Sequence, residues 1–133
     1  MKGEKNLSKL IKDMAPKLNK GDFVFATVKD LSKINRNDTI CEFKETEGVT
    51  VVIEKQKADA LKLEYDYIAA WITLEIHSAL DAVGLTALFS TALAKNNICC
   101  NVIAAYNHDH IFVAMEDAAK AMQVLTDLSN DHT

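Results

Sequence analysis

The chain has 133 residues, 49% of them apolar, with one Pro and four Gly; that suffices to bury a core in one domain or two very small ones and argues against disorder away from the ends. Its net charge of −4 argues against nucleic acid as the main partner, because phosphate binding needs a basic excess. The cysteines, Cys41, Cys99 and Cys100, are odd in number and show no CxxC spacing, which speaks against a disulfide framework and fits a reducing compartment.

Leu7, Leu10, Ile11, Met14 and Leu18 recur at helical spacing after Asn6, a natural N-cap, and Pro16 limits the far end. Asp22–Val28 follows as a buried strand, and polar Lys29–Thr39 as a loop. Ile40–Thr46 and Val49–Glu54 predict a hairpin turning at Glu47-Gly48, then a short helix around Lys57–Leu63. Tyr67–His77 alternates as a long strand, with Ile68, Ala70, Ile72, Leu74 and Ile76 on one face and Trp71, Thr73, Glu75 and His77 on the other. A helix runs on to about Asn96, with Ser78 or Asp81 as its cap. Ile98–Tyr106 and His110–Met115 predict a second hairpin, and Ala118, Ala121, Met122, Leu125 and Leu128 the inward stripe of a last helix.

The strand–X–hairpin–helix unit thus occurs twice, as an α+β, ferredoxin-like arrangement. X is a long helix in the second copy and a polar loop in the first. The division expected is 1–66 for the N-terminal unit with its leading helix and 67–133 for the C-terminal one. The predicted strands are apolar on both faces, so units or chains are expected to stack further. The charge is divided too: +5 over residues 1–36 and −9 over 37–133. The plain reading is a basic arm against an acidic remainder; the sharper one is an anion site near the N-terminus.

The informative stretch is HSALDAVGLTALFSTALAKNNICCNVI, residues 77–103. A strand ends there, and a turn with Asp81 and Gly84 opens a helix. Glycine costs about 1 kcal/mol inside a helix, but it lets backbone amides at a helix N-terminus approach an anion. Close helix–sheet packing without a ligand is the competing explanation of Gly84.

Asp81-Ala82-Val83-Gly84-Leu85, the Leu88–Leu93 stripe and Asn97-Ile98 resemble the opening of an ACT domain. Glu47-Gly48-Val49-Thr50, Trp71-Ile72-Thr73-Leu74, His77-Ser78, Ala82-Val83-Gly84-Leu85-Thr86 and His108-Asp109-His110-Ile111-Phe112-Val113 extend the likeness from about Leu7 to Leu128. Together they resemble small tandem-ACT proteins of unassigned function and, more distantly, cytosolic amino-acid sensors. The resemblance implies two ACT-type βαββα units, the first without its first helix and preceded by an extra one. It implies an amino acid held at the strand–helix turn by Asp81, Val83, Gly84, Leu85 and Thr86, with Asn101 and Val102 from the neighbouring strand. Only the second copy shows the Asp-x-x-Gly turn, so one good site per chain is expected. On this reading Gly84→Val abolishes binding and leaves the fold intact.

Other chemistry is weaker. His108 and His110 share a strand face and are candidate metal ligands, but an Asn-His-Asp turn also explains itself by local hydrogen bonds. Cys99 and Cys100 read as small core hydrophobes. Glu42, Glu45 and Glu47 read as a solvated hairpin edge. No nucleophile constellation is visible. The expectation is a small-molecule-binding, non-enzymatic regulatory protein needing no cofactor, with an amino acid as ligand, no nucleic acid and no membrane as partners, in the cytoplasm. It forms a homo-oligomer, a dimer first. The alternative is a protein-interaction module with a vestigial pocket, acting as a separate regulatory subunit.

Overall fold

The computed structural model describes Gly3 and residues 6–77 and 79–131. They form two units: a split unit, from the described parts of 1–20 and 70–133, and a continuous unit of 21–69. In its packing, therefore, the segment 6–20 sides with the second half of the chain, not with the rest of the 1–66 stretch to which the sequence assigned it.

The segment begins with α1, Leu7–Asp13, capped as expected: the Asn6 side chain accepts from the Lys9 amide at 3.0 Å. The helix is shorter than its apolar spacing predicts. Met14 is already extended, and Ala15–Leu18 forms a strand, β1. Pro16 is the cause. A residue before proline is pushed out of the helical region, so Ala15 cannot continue the helix. Leu18 is therefore a strand residue, 43% exposed.

The split unit continues with β5 (Ile68–Glu75, from Ala70 onward), α3 (Leu85–Lys95), β6 (Asn101–Ala104), β7 (Asp109–Ala114) and α4 (Ala118–Asn130). β1 pairs antiparallel with β5, Ala15 opposite Glu75 and Leu18 opposite Ile72. β7 lies on the far side of β5 and pairs antiparallel with β6. In the strand–helix–strand–strand–helix–strand scheme of a ferredoxin-like unit, β5 is the first strand and β7 the third. The closing fourth strand comes from the other end of the sequence, as β1. Ala70, Ile72, Leu74 and Ile76 enter the core beneath the helices, with Ile111 and Val113 from β7 and Phe89, Leu93, Ala121 and Leu125 from α3 and α4. Leu10 and Ile11 of α1 and Met14 just beyond it complete it, and the Ser129 hydroxyl donates to the Lys12 carbonyl at 3.0 Å.

The continuous unit holds β2 (Phe23–Val28), β3 (Thr39–Lys44), β4 (Val49–Glu54) and α2 (Lys55–Ala60). β4 lies between β3 and β2, antiparallel to both. Ile68 and Ala69 register with Val24 and Phe23 on the other side of β2. The order again follows the ferredoxin-like scheme, with residues 29–38 replacing the first helix. A Cβ at Gly48 would lie 2.7 Å from the Val28 carbonyl oxygen, so only glycine fits the β3–β4 turn. Among the described residues no helix is long and apolar enough to cross a membrane.

Ile11 is fully buried. We expect Ile11→Ala to lower stability by about 2–5 kcal/mol. Denaturant melts followed by the fluorescence of Trp71, the single tryptophan, will show the loss in the split unit. An unchanged midpoint would mean that the N-terminal segment contributes nothing to that core.

Candidate functional site

The turn from β5 to α3 carries the sequence-predicted ligand residues. α3 starts later than expected, at Leu85, and its N-cap is Gly84 in the left-handed conformation (φ 99°, ψ −16°) with no side-chain cap. Asp81 therefore is not the N-cap; the other cap expected, Ser78, lies outside the described residues. A hydrogen bond from the Ala82 amide to the Ala79 carbonyl (3.0 Å) folds the turn. The first amides of α3 sit at the positive end of its dipole, and the N-cap provides no side-chain hydrogen bond to them.

The predicted residues part company here. Asp81 and Thr86 are exposed, Val83 is 86% exposed and Gly84 half-buried. Leu85 is a core side chain, 4% exposed, and Val102 packs against the same core. Asn101 turns to the opposite sheet face, beside Phe112, its Nδ2 donating to the Phe112 carbonyl at 3.4 Å. Asp81, Val83, Gly84 and Thr86 thus share the open turn, while Leu85 and Val102 belong to the core. Leu80, 69% exposed, also belongs to the turn; its apolar character next to Asp81 was the signal available.

α1 comes close to this turn. A Cβ on Gly84 would lie 3.2 Å from Leu7 Cδ2. Gly84→Val is therefore not the clean test that the sequence suggested, because it strains both the backbone and this contact.

The helix-free face of the split unit carries a network that the sequence did not disclose. Trp71 Nε1–H donates to His110 Nδ1 at 3.0 Å, and Thr73 Oγ1 lies 3.2 Å from the same nitrogen. Asn19 Nδ2 donates to Thr73 Oγ1 (2.9 Å) and the Asn19 amide to the Trp71 carbonyl (2.9 Å). Because the Trp71 indole N–H can only donate, Nδ1 accepts and the proton of the neutral His110 ring resides on Nε2. Trp71 also stacks on Phe112, centroids 6.2 Å apart and planes at 19°. Burial holds His110 below its ordinary pKa, helped by His108 and opposed by Asp109. His108 Nδ1 is buried without a hydrogen-bond partner among the described residues. His110 Nδ1 being occupied, the two histidines offer no ready metal pair, and no group of three or more His, Cys, Asp or Glu gathers among the described residues.

The remaining groups are structural. Burial pushes Cys100 up to about 11, which leaves its thiol protonated. Glu42 is paired with Arg36 at 2.6 Å, and that hydrogen bond holds its carboxyl below the usual range. Glu45 accepts from Thr50.

Two profiles described as ACT domain match the sequence, one over residues 2–70 and the other over 67–127. The chain belongs to the ACT domain family. As an ACT protein it is similar along most of its length to solved structures. A Vibrio cholerae protein of unknown function, described as a possible transport protein, is 44% identical, with 92% of this chain and 95% of that one covered and a TM-score of 0.83. An aspartate kinase from Clostridium acetobutylicum shares the fold at 17% identity and a TM-score of 0.62, over 89% of this chain and 34% of that one. The ligand-free regulatory subunit of aspartate kinase from Thermus thermophilus does so at 10% identity and a TM-score of 0.55, over 86% and 95%. No curated protein matches.

Two outcomes follow for this ACT unit. We expect Gly84→Ala to cost about 1–3 kcal/mol from the positive φ alone, because the flexible Leu7 can yield. The cost should persist in a Leu7→Ala background, and its disappearance there would assign it to the contact instead. For His110 the unfolded imidazole, near its ordinary value of about 6.5, takes up a proton first. Stability is then full above that pH and falls below it. Burial raises the Asp109 carboxyl and works in the opposite sense at lower pH, so the test is the difference from His110→Gln. We expect that variant to have a flatter stability profile just below pH 6.5; parallel profiles would refute the assignment.

Proposed function

We propose that the protein is a non-enzymatic regulatory module that binds a small molecule, an amino acid, at the β5–α3 turn. The observation that carries this is Gly84: a left-handed glycine, not a capping side chain, opens α3. The helix amides are left to meet a carboxylate at the positive end of the dipole. Asp81 and Thr86, both exposed beside it, would take the ligand's amino group and remaining polar edge. Val83 and Leu80 would cover its apolar part, and Leu85 and Val102 would line the floor. Similarity to the regulatory parts of aspartate kinases supports a ligand-binding role of this general kind. The working unit on this reading is a cytoplasmic homo-oligomer, a dimer first, with 1–66 and 67–133 as its two ACT repeats.

A second reading draws on the exposure of Leu80 and Val83, 69% and 86%. Two large apolar side chains on one turn also suit a protein-interaction module with a vestigial pocket, acting as a separate regulatory subunit.

Thermal melts against the twenty amino acids separate the two. Ligand at 100 times its Kd adds about 2.7 kcal/mol, a shift of several degrees for a domain of this size. We expect a selective shift with one or two amino acids, lost in Thr86→Val, whose own midpoint should stay close to that of the parent. A flat response to all twenty would abandon the amino-acid reading in favour of the interaction module.

A further inference from the structure

Where a ferredoxin-like unit has its first helix, the continuous unit has only the loop 29–38. That loop, not a helix, covers the sheet face there. A cavity of about 280 Å³ opens beside it, with Val28, Ile34, Leu61 and Leu63 forming aliphatic walls and Lys29, Asp30 and Lys33 a charged rim. Ile34 is 7% exposed and returns from the loop to pack on Ala26 and Val51. Leu61 and Leu63 are set by a helix-terminating turn. The Leu63 amide donates to the Ala58 carbonyl at 2.9 Å, and Lys62 between them has a φ of 58°. A left-handed residue other than glycine costs roughly 1–2 kcal/mol, so this turn is held against an intrinsic preference. It leaves Leu61 39% exposed at the cavity.

The rim charges are unequal in availability. One Asp30 carboxylate oxygen accepts from both the Ser32 amide (2.8 Å) and the Ser32 hydroxyl, and these bonds hold Asp30 below its ordinary pKa. Lys29 and Lys33 have no carboxylate within ion-pair distance among the described residues. The cavity therefore combines an aliphatic floor with Lys29 and with Lys33, which acts on the already hydrogen-bonded Asp30 only at longer range than an ion pair. At about 280 Å³ it falls just under the range of roughly 300–1,000 Å³ usual for drug-sized ligands, which excludes a nucleotide and suits a body of a few carbon atoms.

We propose that this cavity binds a small aliphatic carboxylate, its chain against Val28, Ile34, Leu61 and Leu63 and its charge toward Lys29 and Lys33. All the groups involved lie within 21–69, so the proposal stands apart from the reading of the β5–α3 turn.

The test is a methyl NMR titration of the full chain with 4-methylpentanoate and, in parallel, with its uncharged amide. We expect saturable shifts at the Val28, Ile34, Leu61 and Leu63 methyls with the acid. The affinity should fall about three- to tenfold in Lys29→Gln/Lys33→Gln and weaken with added salt. The exposed lysines can be replaced without disturbing the core, and an unchanged melting midpoint will confirm that. The proposal is overturned if those methyls show no saturable shift, if the amide binds as tightly as the acid, or if the double variant binds like the parent. Shifts confined to Val83 and Leu85 overturn it as well, while favouring the ligand site at the β5–α3 turn.

Discussion

Pro16 disfavours the helical region at Ala15 and has no amide to donate, and the architecture of the split unit hangs on that constraint. Without the break, the apolar spacing from Leu7 to Leu18 would continue as a helix. With it, Ala15–Leu18 swings into register with β5, and Pro16 sits on an edge strand opposite Leu74, where a missing donor is tolerated. The break also fixes where α1 lies. Its apolar residues enter the same core as α3 and α4, which brings Leu7 against Gly84.

β5 then serves two environments through simple alternation. Ala70, Ile72 and Leu74 go into the hydrophobic core. Trp71 and Thr73 turn the other way and, with Asn19 and His110, form a hydrogen-bonded network. A polar network in a partly buried place is stabilising only when its members are satisfied. Here the Asn19 and Trp71 donors each meet an acceptor, and the Trp71 N–H dictates the tautomer of His110. Network and core hold the strand from opposite faces, so the turn beyond it departs from a rigid support.

Much of this was legible in the residues. Alternation identified β2 and β5, Gly48 marked the first hairpin, Asn6 capped α1, and the family resemblance gave two ferredoxin-like units. The misses have physical reasons. Local spacing reads Leu18 as helical because periodicity does not know that a strand edge is waiting to be paired. Asp81 looked like a cap because Asp caps helices well, yet a left-handed Gly84 opened the helix later. The Trp71–His110 bond links residues 39 apart, and the parity of each strand gave their faces without giving the order of strands that makes them neighbours. At the candidate site, the sequence placed Asp81, Val83, Gly84 and Thr86 on one turn. It could not separate them from Leu85 and Val102, whose side chains belong to the core, because burial is a property of the assembled structure.

The placement of β1 also bears on how the chain is made. A ribosome releases residues 6–20 well before their partners in β5, α3 and α4. The continuous unit has all its strands within 21–69 and can close as soon as that stretch is clear of the exit tunnel. The opening segment must wait as an unpaired strand and an isolated seven-residue helix, too short to persist alone in water. Synthesis at about 5–20 residues per second makes that wait several seconds long. Residues 6–20 are thus made before their partners and are among the last to pair.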